Sequence, residues 1–430
     1  RTVFDYSIHS FHEILLSGSI GSAKSILMAH IAVTHCLLYP KARFCLARRS
    51  MPDLKRTIFQ TILEHIEDLD EDQYEVNQTK GSILFNNGSE IISTSWADKK
   101  SKKVRSLQLS GIGFEEVTEN DDDDKKSYME LRQRVNRLPH VPEQIIVAAT
   151  NPDAPSHWAY KHWITSEETN RHVYYSTTTD NPFLPKTYIE QLKQDLDPKM
   201  AQRMLYGKWI EIEDEVIYYA YSRDRNYVNT DYYINPHLPI HFSFDFNIAA
   251  NKPMSACFYQ IINDTFHFFD EVVVDGARTE NIMEEAANKG LFDLSRVYYC
   301  HGDAAGKHRD TRSNNSDYDI IDNFMRRYRT KDNASLGYSR QVPSANPSIR
   351  DRHNIVNAYC YNSNNQVRLF VYKKCKTLDE GMRLTKLKNG SQYIEDDSKP
   401  FQHITTALGY GVYHHHTNKN ETPGVSMIPR

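Results

Sequence analysis

Leu15-Leu16-Ser17-Gly18-Ser19-Ile20-Gly21-Ser22-Ala23-Lys24-Ser25 runs from an apolar strand end, through a loop of small residues, into a Lys-Ser pair that opens a helix. Gly18, four residues, Ala23, Lys24 and Ser25 keep the spacing of a phosphate-binding loop, with Ala23 where glycine is usual. Small residues let successive backbone N–H groups turn inward around phosphate oxygens. The helix behind them adds free N–H groups and the positive end of its dipole. In this reading residues Gly18, Ser19, Ile20, Gly21, Ser22, Ala23, Lys24 and Ser25 bind a nucleotide. Lys24 reaches the β- and γ-phosphates and Ser25 ligates Mg²⁺. The competing reading is a strand-to-helix turn that binds nothing, and the residues further along the chain decide between the two.

Working outward, Ser25 to Tyr39 is apolar on nearly every side and predicts a buried helix. Ala42 to Ala47 predicts the next strand, and Ser50-Met51-Pro52-Asp53 opens a helix with a stripe at Leu54, Ile58, Ile62, Ile66 and Leu69. Ser82–Phe85 and Glu90–Thr94 flank Asn86-Asn87-Gly88, a hairpin pattern. Strand, loop, helix, strand, helix points to a mostly parallel sheet with crossover helices. Leu109 to Glu116 is a short small-and-apolar run ending in two acids. Glu115 is expected to hold Mg²⁺ through water and Glu116 to polarise the attacking water, although the first acid of such a pair is usually Asp. Gln144 to Ala149 predicts a strand ending in Thr150-Asn151-Pro152, and a polar pair there, beside the loop strand, suits a γ-phosphate sensor. Asp121 to Lys126 reads as a solvated charged loop. His157, Trp158, His162 and Trp163 read as one face of an amphipathic helix rather than a metal or stacking site.

Lys186 to Tyr206 predicts one polar helix, after which the chain becomes Tyr-rich and closes on Asn235-Pro236-His237-Leu238-Pro239. Residues 1–209 are therefore expected to form the nucleotide-binding domain, 210–239 a linker, and 240–430 a second domain. In that second part Ile240–Phe246, Met254–Ile262 and Thr265–Val274 read as strands, Glu280–Lys289 as a helix, and Arg296–Cys300 as a strand leading into Asp303. Three antiparallel strands, a helix and a parallel strand ending in Asp is the ribonuclease H order, which sets Asp245 and Asp303 side by side. Two carboxylates that close require divalent cations, Mg²⁺ or Mn²⁺, and suit hydrolysis of a phosphodiester. Glu271 is a further, weaker metal-ligand candidate. Basic stretches at Arg326–Arg329, Lys373–Lys376 and Arg383–Lys388 could track DNA phosphates or could be solvated faces.

The composition is that of an ordinary globular protein: 39% apolar, 25% charged, net charge −4. Six dispersed cysteines without a CxxC pair read as reduced thiols, not a disulfide framework. Neither a signal peptide nor a membrane-spanning run is visible. The chain begins at Arg1 rather than Met, so its native start is expected upstream.

The order of these motifs resembles the large terminase subunit of tailed bacteriophages. The resemblance rests on the loop at 18–25, Ala47-Arg48-Arg49-Ser50, Lys103-Val104-Arg105-Ser106, Phe114-Glu115-Glu116, Ala149-Thr150-Asn151-Pro152 and Leu205-Tyr206-Gly207-Lys208-Trp209. In the second half it rests on Asp245-Phe246 and Gly302-Asp303-Ala304-Ala305-Gly306. It implies an α/β chain: a P-loop ATPase domain with a mostly parallel sheet, then an RNase H-like mixed α/β nuclease domain. It implies ATP-driven packaging of viral double-stranded DNA, with Thr150 and Asn151 coupling hydrolysis to movement and Asp245 and Asp303 cutting DNA. Implied partners are the portal protein of the procapsid, a small terminase subunit and further copies of the chain in a ring, with a monomer in solution as the other option. No membrane partner is implied, and the place of action is the cytoplasm of the infected bacterium, outside the mature virion. The family often carries an arginine within the loop where this chain has Ile20, so Arg48, Arg49 and Arg105 are the unranked sources of a transition-state arginine. Where the family's last helix has an Asp, this chain has Thr406. A weak second metal, substitution by Asp396 or Asp397, help from His403, or a disabled site are the open consequences. A P-loop helicase or repair ATPase with an RNase H-like domain, and a catalytically inert DNA-binding scaffold, are the competing readings.

Overall fold

The computed structural model describes residues 10–96, 107–119, 122–212, 216–247, 252–293, 296–308, 315–326, 337–388 and 394–420. The chain divides into two units, one of residues 1–192 and 199–212, the other of 193–198 and 213–430. Lys103–Ser106, with Arg105 among them, Asp121 and Arg327–Arg329 lie outside the described residues.

In the first unit the elements follow as β1 (Ser10–Gly18), α1 (Lys24–Leu38), β2 (Arg43–Arg48), α2 (Met51–Arg56), α3 (Ile58–Ile66), β3 (Tyr74–Asn77), β4 (Ser82–Phe85), β5 (Glu90–Ser95), β6 (Gly111–Glu115), α4 (Asp122–Arg132), β7 (Glu143–Thr150) and β8 (Arg171–Ser176). They build an eight-stranded sheet of order β3-β4-β5-β2-β6-β7-β1-β8. The six strands from β5 to β8 in that order are parallel, and the β3–β4–β5 edge is antiparallel. Alternation along the strands feeds two cores. Ile14, Leu16, Val147 and Ala149 pack with α1 and α3 on one face, while Leu15, Ile146, Ala148 and Phe114 pack with Tyr128, Trp158 and Trp163 on the other. A parallel sheet covered on both faces requires such near-continuous apolar strands.

Four local expectations differ. The helix expected from Ser50 onward is broken at Thr57, whose backbone leaves the helical region. The acidic run expected as a loop opens α4 at Asp122. Lys186 to Tyr206 forms two helices, α5 (Lys186–Asp195) and α6 (Pro198–Met204), because Pro198 disfavours a helical residue before it. The His-Trp segment closes in a π turn, Tyr160–Ile164.

The second unit contains α7 (Arg223–Asn226), β9 (Tyr227–Val228), β10 (Ile240–Asp245), β11 (Met254–Ile262), β12 (Thr265–Val274), α8 (Thr279–Asn288), β13 (Tyr298–Gly302), α9 (Asp317–Met325), β14 (Tyr338–Arg340), α10 (Ile349–Cys360), β15 (Leu369–Tyr372), α11 (Lys376–Leu384) and α12 (Phe401–Asn420). Its sheet has the order β14-β13-β10-β11-β12-β15-β9. The β10–β11–β12 meander is antiparallel and β13 lies parallel to β10. Phe242 and Phe244 face one core, and Cys257 and Tyr259 face the other beneath α10, α11 and α12. The stretch 210–239 is not a free tether throughout. Tyr218 and Tyr221 are buried in this unit's core, and β9 pairs with β15. The Tyr-rich run that looked like a linker is thus in part a structural strap. His414-His415-His416 belongs to α12.

Candidate functional site

In the first unit β1 ends at Gly18 and α1 begins at Lys24, so residues 18–25 form the turn between strand and helix. The turn is curved: Gly21 and Ala23 both have left-handed backbones, φ 72° and 64°. Three of its amides are already engaged, since Ser19 N–H donates to Ser176 O, Ile20 N–H to Met204 O and Ser22 N–H to Ser19 O. The first N–H groups of α1 have no intrahelical acceptor by helix geometry, which leaves them as the anion-facing donors. Gly18 has no room for a side chain, because a Cβ there would collide with the hydroxyls of Ser176 and Ser22.

The side chains converge on this turn from three neighbouring strands. Lys24 Nζ donates to Gly18 O (2.8 Å), Ser19 O (2.7 Å) and Asn151 Oδ1 (3.0 Å). Burial lowers the Lys24 pKa, and the nearby Glu116 carboxylate works against that. Ser25 Oγ donates to Glu115 Oε1 at 3.2 Å. Glu115 is the last residue of β6, two strands from β1, and Asn151 follows β7, which lies between them. Glu116 turns out of the strand with φ 50°, and desolvation pushes its carboxyl up while Lys24 opposes the shift. Thr150 shares a short hydrogen bond with Thr118, and Thr118 Oγ1 also donates to Asn151 O. Lys24, Ser25, Glu115, Glu116, Thr150 and Asn151 therefore form one connected constellation. A serine hydroxyl paired with a carboxylate is a hard-oxygen donor set that suits Mg²⁺.

Sequence reasoning missed the support of this constellation. Arg48, left open as a transition-state arginine, is bound within its own unit, to Glu115 Oε2 (3.1 Å) and Glu119 Oε1 (2.5 Å). Arg49 contacts only Glu119 O, at 3.4 Å, among the described residues. Glu13 on β1 has a side chain with no exposed surface, yet it is charged. Burial would raise its carboxyl, but hydrogen bonds from His162, Arg132 and Tyr128 hold it at about 2. Trp158 and Trp163 are buried in the same core. The signal for Glu13 was a lone acid inside an apolar strand.

In the second unit β10 and β13 run parallel with Phe244 opposite Gly302, so Asp245 and Asp303 leave adjacent strands together. Gly302 is necessary for this approach: its φ is 143°, and a Cβ would lie 2.6 Å from Phe244 O. Asp245 Oδ2 accepts from Asn247 Nδ2 (2.7 Å) and lies 3.0 Å from His403 Nδ1. Burial pushes the Asp245 carboxyl up, and His403 and Arg352 pull it back. Asp303 Oδ1 accepts from Ala305 N–H and Asn346 Nδ2, each at 2.7 Å. Glu271 does not join them. Its two oxygens accept Thr377 N–H (2.7 Å) and Leu378 N–H (2.8 Å), capping α11 from another strand.

Thr406 is on α12, and its hydroxyl donates to Glu395 Oε2 at 3.0 Å. Glu395 is itself taken up by Arg352, His353 and Gln402. Asp397 pairs with Lys252, and Ser398 N–H donates to Asp396 Oδ1 at 3.0 Å. Of the proposed substitutes for a third acid, only His403 touches Asp245. Among the described residues no three His, Cys, Asp or Glu side chains are grouped as a metal site. The aspartate pair supplies hard oxygen donors but is a sparse metal cage.

Residues 10–208 match the family model described as phage terminase large subunit. The PBSX phage terminase large subunit of Bacillus subtilis (strain 168) is 28% identical over 230 residues, covering 45% of this chain and 48% of that relative, so the match spans about half of each. The large terminase of a thermophilic bacteriophage (crystal form 2) superposes with a TM-score of 0.66 at 16% identity, covering 96% of this chain and 94% of that one. The same phage's large terminase in complex with ADP gives a TM-score of 0.63 at 16% identity, covering 93% of each chain. The two-part α/β fold is therefore that of a large terminase.

Proposed function

We propose that this chain, whose residues 10–208 match the phage terminase large subunit model, is an ATP-driven motor that packages viral double-stranded DNA into a procapsid and cuts the concatemer with a metal-dependent endonuclease site. One observation carries the motor reading: the adjacent residues Lys24 and Ser25 reach across to Asn151 and Glu115, at the ends of two neighbouring strands, in two separate hydrogen bonds. In that arrangement the amides at the start of α1 and Lys24 bind the β- and γ-phosphates. Ser25 and Glu115 would hold Mg²⁺, which would neutralise phosphate charge there. Glu116 polarises the attacking water, and its position beside Lys24 supports that role. Asn151 contacts Lys24 directly and Thr150 contacts Thr118, so a change at the phosphates is passed to the loop after β6.

Cutting is assigned to Asp245 and Asp303, which leave neighbouring strands side by side. Mg²⁺ or Mn²⁺ is the implied ion there. The partners follow from the family reading: duplex DNA, the portal of the procapsid, a small terminase subunit and further copies of the chain. The work is done in the cytoplasm of an infected bacterium. Among the described residues no helix is long and apolar enough to cross a membrane.

The test measures DNA-stimulated ATP hydrolysis and Mn²⁺-dependent plasmid cutting for the full chain, Lys24→Ala and Asp245→Ala. Lys24→Ala is expected to abolish turnover and spare cutting, and Asp245→Ala to do the reverse. Equal loss of both activities in both variants would refute two separate sites.

A further inference from the structure

Glu115 is buried, with only 4% of its side chain exposed, yet it must stay a carboxylate and present a defined oxygen toward Ser25. A buried charge persists only when it is paired and hydrogen-bonded. Its partners come from the end of β2 and from the break between the two helices that follow. Thr57 Oγ1 donates to Glu115 Oε2 at 2.6 Å. Arg48 Nη1 lies 3.1 Å from the same oxygen and also donates to Thr57 Oγ1 at 2.9 Å. Arg48 Nη2 is anchored in turn on Glu119. Thr57 Oγ1 also lies 2.8 Å from Asp53 O, so two acceptors compete for its one proton, and the closer, charged Glu115 Oε2 is the stronger. Thr57 thus accepts from the guanidinium and donates to the carboxylate, a role that requires a hydroxyl. The break between α2 and α3 falls on this residue, at φ −110° and ψ −100°. A continuous helix through 57 would give the hydroxyl a different direction.

Resting on the ATPase reading above, we propose that Thr57 and Arg48 are positioning residues of the nucleotide site. They hold Oε2 of Glu115 so that Oε1 stays turned to Ser25, where the metal of a metal–nucleotide complex is held. Arg48 then serves its own site as a fixed counter-charge and is not an arginine lent to a neighbouring subunit. Partners that orient a metal ligand typically change metal affinity or activity about 10- to 100-fold when removed.

The experiment measures Mn²⁺ affinity in the presence of ADP by electron paramagnetic resonance, and ADP affinity without metal by calorimetry. It compares the full-length wild type, Thr57→Val and Thr57→Ser. Thr57→Val is isosteric but cannot donate, and is expected to weaken Mn²⁺ binding about 10-fold or more, with metal-free ADP affinity unchanged. Thr57→Ser is expected to restore Mn²⁺ binding to near the wild-type value. Unchanged Mn²⁺ affinity in Thr57→Val would overturn the proposal, as would equal loss of metal-free ADP binding, which marks a folding defect. A wild type that binds neither ADP nor Mn²⁺·ADP would instead refute the ATPase reading itself.

Discussion

Glu115 in the first unit gives both oxygens to protein donors, Ser25 on one and Thr57 with Arg48 on the other. Asp245 and Asp303 in the second unit each commit one oxygen. Among the described residues, Asp245 Oδ1 and Asp303 Oδ2 receive no hydrogen bond. Both places lie at the carboxyl ends of neighbouring parallel strands, so the topology alone does not separate them. The surroundings do. The first site is pre-set by its own scaffold and needs only a phosphate and an ion to replace weak internal bonds. The second holds two carboxylates in place but leaves the closing ligand to Thr406, whose hydroxyl is spent on Glu395. The lesson is to read a buried acid by its partners. An acid whose oxygens are all held by donors away from a ligand turn, as at Glu13, supports the fold, and one with an oxygen turned to the site, as Glu115 Oε1 is to Ser25, serves chemistry.

Glu13 gives that rule its largest test. It is saturated by Arg132, His162 and Tyr128, so it should matter to stability and not to the chemistry. Glu13→Gln leaves the part-exposed Arg132 guanidinium without its carboxylate and is expected to destabilise the first unit by about 1.5–3 kcal/mol in denaturant unfolding. The pH dependence follows from a folded pKa of about 2, below the ordinary glutamate value of 4.5. Its stabilisation is fully present above 4.5 and is lost as pH falls toward 2. A variant as stable as the wild type at neutral pH, with the same acid transition, would show that buried saturation carries no such information.

Glu271 is the intermediate case, because the sequence offered it as a metal ligand and the structure makes it a helix cap. Glu271→Gln turns an amide NH₂ toward Thr377 or Leu378 N–H and is expected to cost about 1–3 kcal/mol of stability. Mn²⁺-dependent cutting per folded molecule should stay at the wild-type level. A selective loss of cutting without a loss of stability would return Glu271 to the metal site and blur the distinction between the two regions.

Much of this was legible in the sequence, and the limits have physical causes. The strands on either side of the turn, the parallel first sheet and the antiparallel meander of the second followed from apolar periodicity and hairpin chemistry, which are local, while the order of strands across each sheet did not. That Lys24, Ser25, Glu115 and Asn151 would gather at one place was legible, because a phosphate-binding turn and two polar strand ends have few ways to meet in a parallel sheet; the direct Lys24–Asn151 and Ser25–Glu115 bonds were not. The partners of Glu13, Thr57 and Glu395 were not legible. Each is an ordinary residue until distant segments close around it: Arg132 and His162 for Glu13, Arg48 for Thr57, Arg352 and His353 for Glu395. The Tyr-rich stretch misled for the same reason, since an aromatic run without period can be a loop or, as at Tyr218 and Tyr221, a strap over a core.

The smallest expected effect lies in the nucleotide turn itself. Ala23 sits where glycine is usual and takes the conformation that favours glycine, with φ 64° and ψ 20°. An L-residue there carries roughly 1–2 kcal/mol of steric strain. Glycine would relieve it but would widen the unfolded ensemble, at about 0.4–1 kcal/mol. The difference predicts that Ala23→Gly stabilises the first unit by about 0.5 kcal/mol, near the limit of denaturant unfolding and best read from several repeats. The backbone of the turn is already set by Gly21 and by the Ser19 and Ile20 amide bonds, so nucleotide affinity should change by less than about twofold, or roughly 0.4 kcal/mol. A clear loss of stability would mean that Ala23 is unstrained in solution and that the turn differs from the one described. A large gain in nucleotide affinity would mean that the first site is not pre-set, which would erase its contrast with the second.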